Sequence, residues 1–123
     1  MRPRIRHAAL AMIAAATVAQ ARAPAPVATP NGEAKDCLRL LDIRETRVRD
    51  DRTIDFFLRS GQVYRNTLPG TCPQLGFEER YIYQTSLAQL CSTDIITVLV
   101  SPNFLRGASC GLGKFQPVKL SPR

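Results

Sequence analysis

The stretch IRETRVRDDRTIDFFLRSGQVYRNTL, residues 43 to 68, decides the fold. Ile43 to Arg49 alternates in part between apolar and polar residues, and Asp50-Asp51-Arg52 breaks the run. Thr53 to Arg59 is rich in β-branched and aromatic residues, Ser60-Gly61 breaks again, and Gln62 to Leu68 resumes. Three such runs with two polar breaks predict a three-stranded meander. Side chains alternate along a strand, so Ile54, Phe56 and Leu58 share the expected core face, while Asp55, Phe57 and Arg59 share the other. Phe57 is then expected to pack under a loop or against a second element.

The same stretch raises a question of charge, because residues 47 to 66 hold five arginines and three aspartates. One expectation is a solvated face on which opposite charges meet across strands, each pair contributing about 0.2–1 kcal/mol. The other places Arg47, Arg49 and Arg59 with Phe57 or Tyr64 on a stacking and phosphate-binding platform, as oligonucleotide-binding barrels do. Arg47, Arg49, Phe57, Arg59 and Tyr64 are therefore the candidate binding surface. Whole-chain charge weakens the second expectation. The 17 basic and 10 acidic residues give a formal +7, but Arg2, Arg4 and Arg6 sit in an export leader. Without them the chain is +4, and Cys37 to Val118, with 10 basic against 8 acidic residues, is only +2. Strong attraction to a polyanion is not expected of so small an excess.

Outward from the meander, Leu68-Pro69-Gly70-Thr71-Cys72-Pro73 ends it, since proline donates nothing to a ladder. Tyr81 to Gln84 reads as a short strand, and Thr85 to Cys91 as one or two helical turns capped by Thr85 or Ser86. Asp94 to Val100, DIITVLV, is apolar nearly throughout and β-branched, which predicts a central strand covered on both faces. A glycine turn and a last short strand, Lys114 to Val118, follow. The fold expected is mainly β: a small antiparallel curled sheet or barrel-like sandwich with at most one short helix and two disulfides.

The N-terminus has a different composition. Arg2, Arg4 and Arg6 precede an apolar run from Ala8 to Val18 and an Ala19-Gln20-Ala21 cleavage pattern, which together read as a signal peptide, residues 1–21. Its apolar run is about half of the ~20 residues a membrane-spanning helix needs, so no transmembrane segment is expected after removal. No cysteine stands immediately after the cleavage site, the nearest being Cys37, and the arginines are not paired. Neither a lipoprotein anchor nor the twin-arginine route is expected, and general secretion to the periplasm or beyond is the default. Residues 22–36, rich in alanine and proline, read as a disordered linker, and 37–120 as the folded domain.

Cys37, Cys72, Cys91 and Cys110 all lie in the exported part, separated by 35, 19 and 19 positions. An even number in an oxidising compartment implies two disulfides, and zinc sites bring their cysteines in closer pairs. Of three possible connectivities, the expected one joins Cys72 to Cys91 across the weakly patterned segment and Cys37 to Cys110 across the domain ends.

The only histidine is His7, inside the leader. The mature chain therefore lacks the imidazole of Ser-His-Asp triads, Cys-His dyads, histidine-ligated metals and proton relays. Gly107-Ala108-Ser109-Cys110-Gly111 matches G-x-S-x-G formally, but it has no histidine base and reads as a glycine turn. Asp50-Asp51 and Glu78-Glu79 read as turn and surface residues, not as a glycosidase pair across a cleft. No catalytic residue, metal ligand or cofactor is assigned, and the chain is not expected to be an enzyme.

The segments TRVRDDRTIDF, LPGTCPQLGF, LCSTDIITV and CGLGKFQPV resemble a family of small exported proteobacterial proteins catalogued only as a domain of unknown function. The likeness runs from about Cys37 to Val118. Its most specific parts are the V-x-D-D-R-T-I run, Cys72-Pro73 followed by Leu75, and Cys91 upstream of Asp94-Ile95-Ile96. The resemblance implies a fold and a compartment but no activity; the lipoprotein cysteine of some relatives is not carried over, since this chain lacks it. The function expected is a non-catalytic binding or scaffolding domain of the bacterial envelope. Its partner would be an envelope protein or polymer, with nucleic acid disfavoured. The alternatives are a polyanion-binding β-barrel module, or a small carboxylate-dependent enzyme, with tyrosines such as Tyr64, Tyr81 and Tyr83 in place of the carboxylates as its variant.

Overall fold

The computed structural model describes residues 3, 11–13, 24–85 and 87–122. Most of the leader, its cleavage site at Ala19-Gln20-Ala21, and Ser86 lie outside the described residues.

Among the described residues ten strands follow in order: β1 (Val27–Pro30), β2 (Cys37–Arg39), β3 (Ile43–Val48), β4 (Thr53–Leu58), β5 (Val63–Thr67), β6 (Tyr81–Tyr83), β7 (Gln89–Cys91), β8 (Ile95–Val100), β9 (Leu105–Gly111) and β10 (Phe115–Ser121). One α-helical turn, α1 (Leu75–Glu78), lies between β5 and β6, and a 3-10 turn, Leu40–Asp42, precedes β3. The strands make three antiparallel sheets, ordered β1-β10-β5-β4-β3, β6-β8-β9 and β2-β7.

The meander forms as its pattern predicts. Val48 pairs with Ile54, which pairs with Asn66, and Thr46 pairs with Phe56, which pairs with Tyr64. Ile54 and Phe56 are fully buried, and Leu58 is half-buried at the rim of the same core. Phe115 meets Phe56 edge-on, with ring centroids 5.2 Å apart. Ile96 and Val98 from β8 and Leu38 and Leu90 from β2 and β7 complete a core shared by all three sheets.

The expected curled or barrel-like sheet is not what forms. Among the described residues no sheet closes on itself, and β1 and β3 are the outer strands of the five-stranded sheet. Pro24, Ala25 and Pro26, just before β1, do line a hollow with Thr46 to Val48 of β3 and with Arg49 just after it. Two of those three residues have no N–H, so they cannot extend a ladder along β3.

The linker expectation also needs correcting. Val27 to Pro30 pairs with β10 from Ser121 to Val118, Asn31 N–H donates to Pro117 O at 3.0 Å, and Lys35 bridges Phe115. An extended Ala/Pro segment buries little, but it can satisfy its backbone against an open edge, where proline is tolerated. Pro117 obeys the same rule inside β10. Its carbonyl faces Asn31, so its nitrogen faces the end of β1, and there the Gln116 side-chain amide donates to Gly32 O at 2.9 Å instead.

Both disulfides form with other partners than expected. Cys37 joins Cys91, the residue directly opposite it in the β2–β7 pair, with Cα atoms 4.0 Å apart. Cys72 joins Cys110 of β9. The pairing follows strand register and the docking of the post-meander loop on the second sheet, neither of which cysteine spacing reveals.

Three local expectations change too. Thr85 and Leu87 to Cys91 are not helical, because the Thr85 hydroxyl turns back on Leu87 and Gln89 backbone and Gln89–Cys91 becomes a strand. The helical turn falls instead at Leu75–Glu78, bounded by Gln74 at φ 68° and Glu79 at φ 56°. Gly107 to Gly111 is not a turn but most of β9. A Cβ at Gly107 would come within 2.8 Å of the Val100 side chain, so the glycine permits close strand packing. β8 is central in its sheet, yet only Ile96 and Val98 are buried; Ile95 is 58% exposed.

Candidate functional site

The candidate site is the outer face of the meander. Register places Arg47 opposite Asp55, and Asp55 opposite Arg65, in one cross-strand row. Asp55 is fully buried although it points away from the core. Arg49 Nε donates to its Oδ2 at 2.8 Å, Arg65 Nε to its Oδ1 at 2.8 Å and Arg65 Nη2 to its Oδ2 at 2.9 Å. The side chains of Arg49 and Arg65 are only 17% and 16% exposed, because their aliphatic stems roof the carboxylate. Bonding to Asp55 outweighs desolvation and holds the Arg65 guanidinium above its ordinary range, so it stays charged.

Beside this row runs an apolar one. Phe57, Val63 and Val118 face the same side on β4, β5 and β10, and with Leu120 and Gln62 they border a shallow hollow of about 610 Å³. Arg47 links the two rows: its guanidinium lies 5.1 Å from the Phe57 ring centroid, while 56% of its side chain stays exposed. Its nearest acid is Glu45 at 3.5 Å, which also meets Arg44 at 3.2 Å.

The structure therefore brings together three of the five expected surface residues, Arg47, Arg49 and Phe57. It does not bring the other two. Tyr64 points to the core face, 6% exposed, with the Lys35 ammonium 5.6 Å from its ring centroid. Arg59 leaves the strand and donates through Nε to Leu41 O at 2.9 Å. Sequence reasoning missed Asp55 and Arg65, although a lone carboxylate inside TIDFF was the available signal. It also missed Pro24 to Pro26, which wall a hollow of about 500 Å³ at the β3 edge with Thr46 to Arg49 and Glu79.

The acidic pairs serve as local fasteners. Asp51 Oδ1 accepts the Gly76 N–H at 2.8 Å, Asp50 Oδ1 accepts the Arg52 N–H at 2.8 Å, and Glu78 Oε2 accepts the Ser101 hydroxyl at 2.8 Å. Arg52 adds bonds from Nε to Leu68 O at 2.6 Å and from Nη2 to Pro69 O at 3.1 Å, which fix the loop leaving the meander. Among the described residues no three His, Cys, Asp or Glu side chains gather as a metal site would require. None of the described helices is long and apolar enough to cross a membrane.

Chemically, the outer face can stack an aromatic or apolar group on Phe57 and pair one carboxylate with Arg47, on a support fixed by the Arg49–Asp55–Arg65 cluster. It offers less to a polyanion than its arginine count suggests, because Arg49 and Arg65 are already paired. Compared with known proteins, the chain matches no family model, no curated protein and no solved structure.

Proposed function

We propose that the chain is a non-catalytic binding domain of the bacterial envelope, exported by general secretion and locked by its disulfides once outside the cytoplasm. The outer face of the meander is its contact surface. The observation that carries this reading is Arg47, half exposed and stacked on Phe57, held beside the buried Arg49–Asp55–Arg65 cluster. A rigid aromatic-arginine pair on a preorganised sheet is what binding hot spots use, since little side-chain entropy is lost on contact. The sequence supports export through its leader and supports a non-catalytic role through a mature part without histidine.

The test is a photo-crosslinker placed at Phe57 or Val63 of the full chain expressed in its own host. A discrete adduct formed at these positions and absent from a Glu33 control supports the reading. Adducts only at the control position, or none at all, overturn it. Affinity for the captured partner should fall only modestly with salt, because one exposed arginine makes most of the charged contact.

A further inference from the structure

The sheet β6-β8-β9 carries a second surface on its side away from the core. Ile96 and Val98 face inward, so Ile95 and Thr97 face out, and Ile82 of β6 stands opposite Thr97. These three border a hollow of about 360 Å³, with Asp94 toward one end and Arg106 toward the other. Asp94 Oδ2 accepts the Cys91 N–H at 2.6 Å, and its other oxygen takes no bond among the described residues. The exposed Arg106 guanidinium likewise has no partner among them. Register explains why the two do not pair. Arg106 lies opposite Leu99, five residues along the chain from Asp94, a span of about 17 Å of which an arginine reaching back along the strand covers only part. The other side chains that line the hollow are uncharged. It therefore holds one anion and one cation, apart from each other, over an apolar floor. Thr97 and Ser109 share one hydroxyl–hydroxyl bond at 2.9 Å, which leaves one of their two hydrogens to donate elsewhere. The charges sum to zero and favour neither a polyanion nor a polycation. A guest carrying both signs matches both ends at once.

We propose that this hollow binds a small zwitterion, a free α-amino acid with an apolar side chain. Its carboxylate meets the Arg106 guanidinium, its ammonium meets Asp94 Oδ1, and its side chain covers Ile82 and Ile95, the latter 58% exposed. A guest with a single charge covers the remaining charged group without pairing it, which weakens binding. The site lies on a different sheet from Phe57 and adds a small-molecule ligand to the binding-domain reading without depending on it.

The probes are L-leucine, N-acetyl-leucine, which lacks the ammonium, leucinamide, which lacks the carboxylate, and glucose, which has neither charge. Each is titrated into the full disulfide-bonded chain, isotope-labelled so that backbone amide shifts can be followed by NMR. Leucine is expected to move the amides of Ile95, Thr97 and Arg106 with a Kd on the order of 1 mM, and each blocked form to bind about tenfold more weakly. Asp94→Asn keeps an acceptor for the Cys91 N–H and removes the charge, so leucine should lose its advantage over N-acetyl-leucine and keep it over leucinamide. Arg106→Gln, at an exposed position, should do the reverse. Should Asp94→Asn fail to fold, Arg106→Gln decides alone. No shift at these amides with leucine, equal binding of the blocked forms, a folded variant that keeps both preferences, or glucose binding as well as leucine overturns the site. Its failure leaves the crosslinking result at Phe57 untouched, and an absent crosslink leaves this site standing.

Discussion

At Gly113 a single methyl group decides the packing. A Cβ there would overlap Thr67 O, and the fully buried Asn66 amide grips the glycine from both sides, donating to Gly113 O at 2.7 Å and accepting its N–H at 2.8 Å. Gly113→Ala is expected to cost about 2–3 kcal/mol, read as a lower urea midpoint with unchanged slope. Asp55→Ala should cost about 3 kcal/mol or more, because it leaves two largely covered guanidiniums facing each other; removing Arg49 as well should recover part of the loss. Tyr81 makes a pH prediction. Burial holds its phenol above the ordinary range, against the smaller opposing effect of its hydrogen bond to Thr46. The folded chain then keeps a proton that the unfolded chain has released. Stability is untouched by this group below about pH 10 and falls as pH rises past it. Tyr81→Phe should flatten that alkaline limb in a stability profile. These residues show where pattern reading stops: alternation assigned Asp55 to its face correctly, but a face is not a depth, and arginine stems buried the carboxylate there.

Among the elements, the meander was legible because each of its runs is long, alternating and bounded by polar breaks. The strands that escaped notice carry no such pattern. β1 is Val-Ala-Thr-Pro and β9 is Leu-Arg-Gly-Ala-Ser-Cys-Gly, and both exist through the edges they join. The candidate surface was legible in part for the same reason: Arg47, Arg49 and Phe57 sit in β3, its end and β4, whereas Arg59 falls past the end of β4, where alternation no longer fixes direction. β1 also yields a prediction. A chain shortened to begin at Asn31 loses the β1–β10 pairing and exposes the β10 edge, so its Tm should drop by about 5–10 °C while the β4–β5 amides stay protected from exchange. Equal stability of the shortened chain would mean that β1 merely lies on the sheet.

For the whole molecule, two covalent links hold three small sheets around one core, and their exposures differ. Cys37 and Cys91 are both half-buried, whereas Cys72 is fully buried and only Cys110 can be approached. Mild reductant followed by alkylation and mass mapping should find Cys37 and Cys91 modified first, with each lost bridge lowering stability by about 2–4 kcal/mol. That these would be bridges was readable from an even number of cysteines at spacings too wide for a zinc site; which sulfur meets which depends on sheet register. The observed connectivity interleaves, since the loop closed by Cys37–Cys91 overlaps the loop closed by Cys72–Cys110 from residue 72 to residue 91. Every peptide bond from Cys37 to Cys110 is therefore enclosed by at least one of them. A protease that nicks the backbone once anywhere in that span releases no fragment: the severed ends stay tethered, free to settle back where they were.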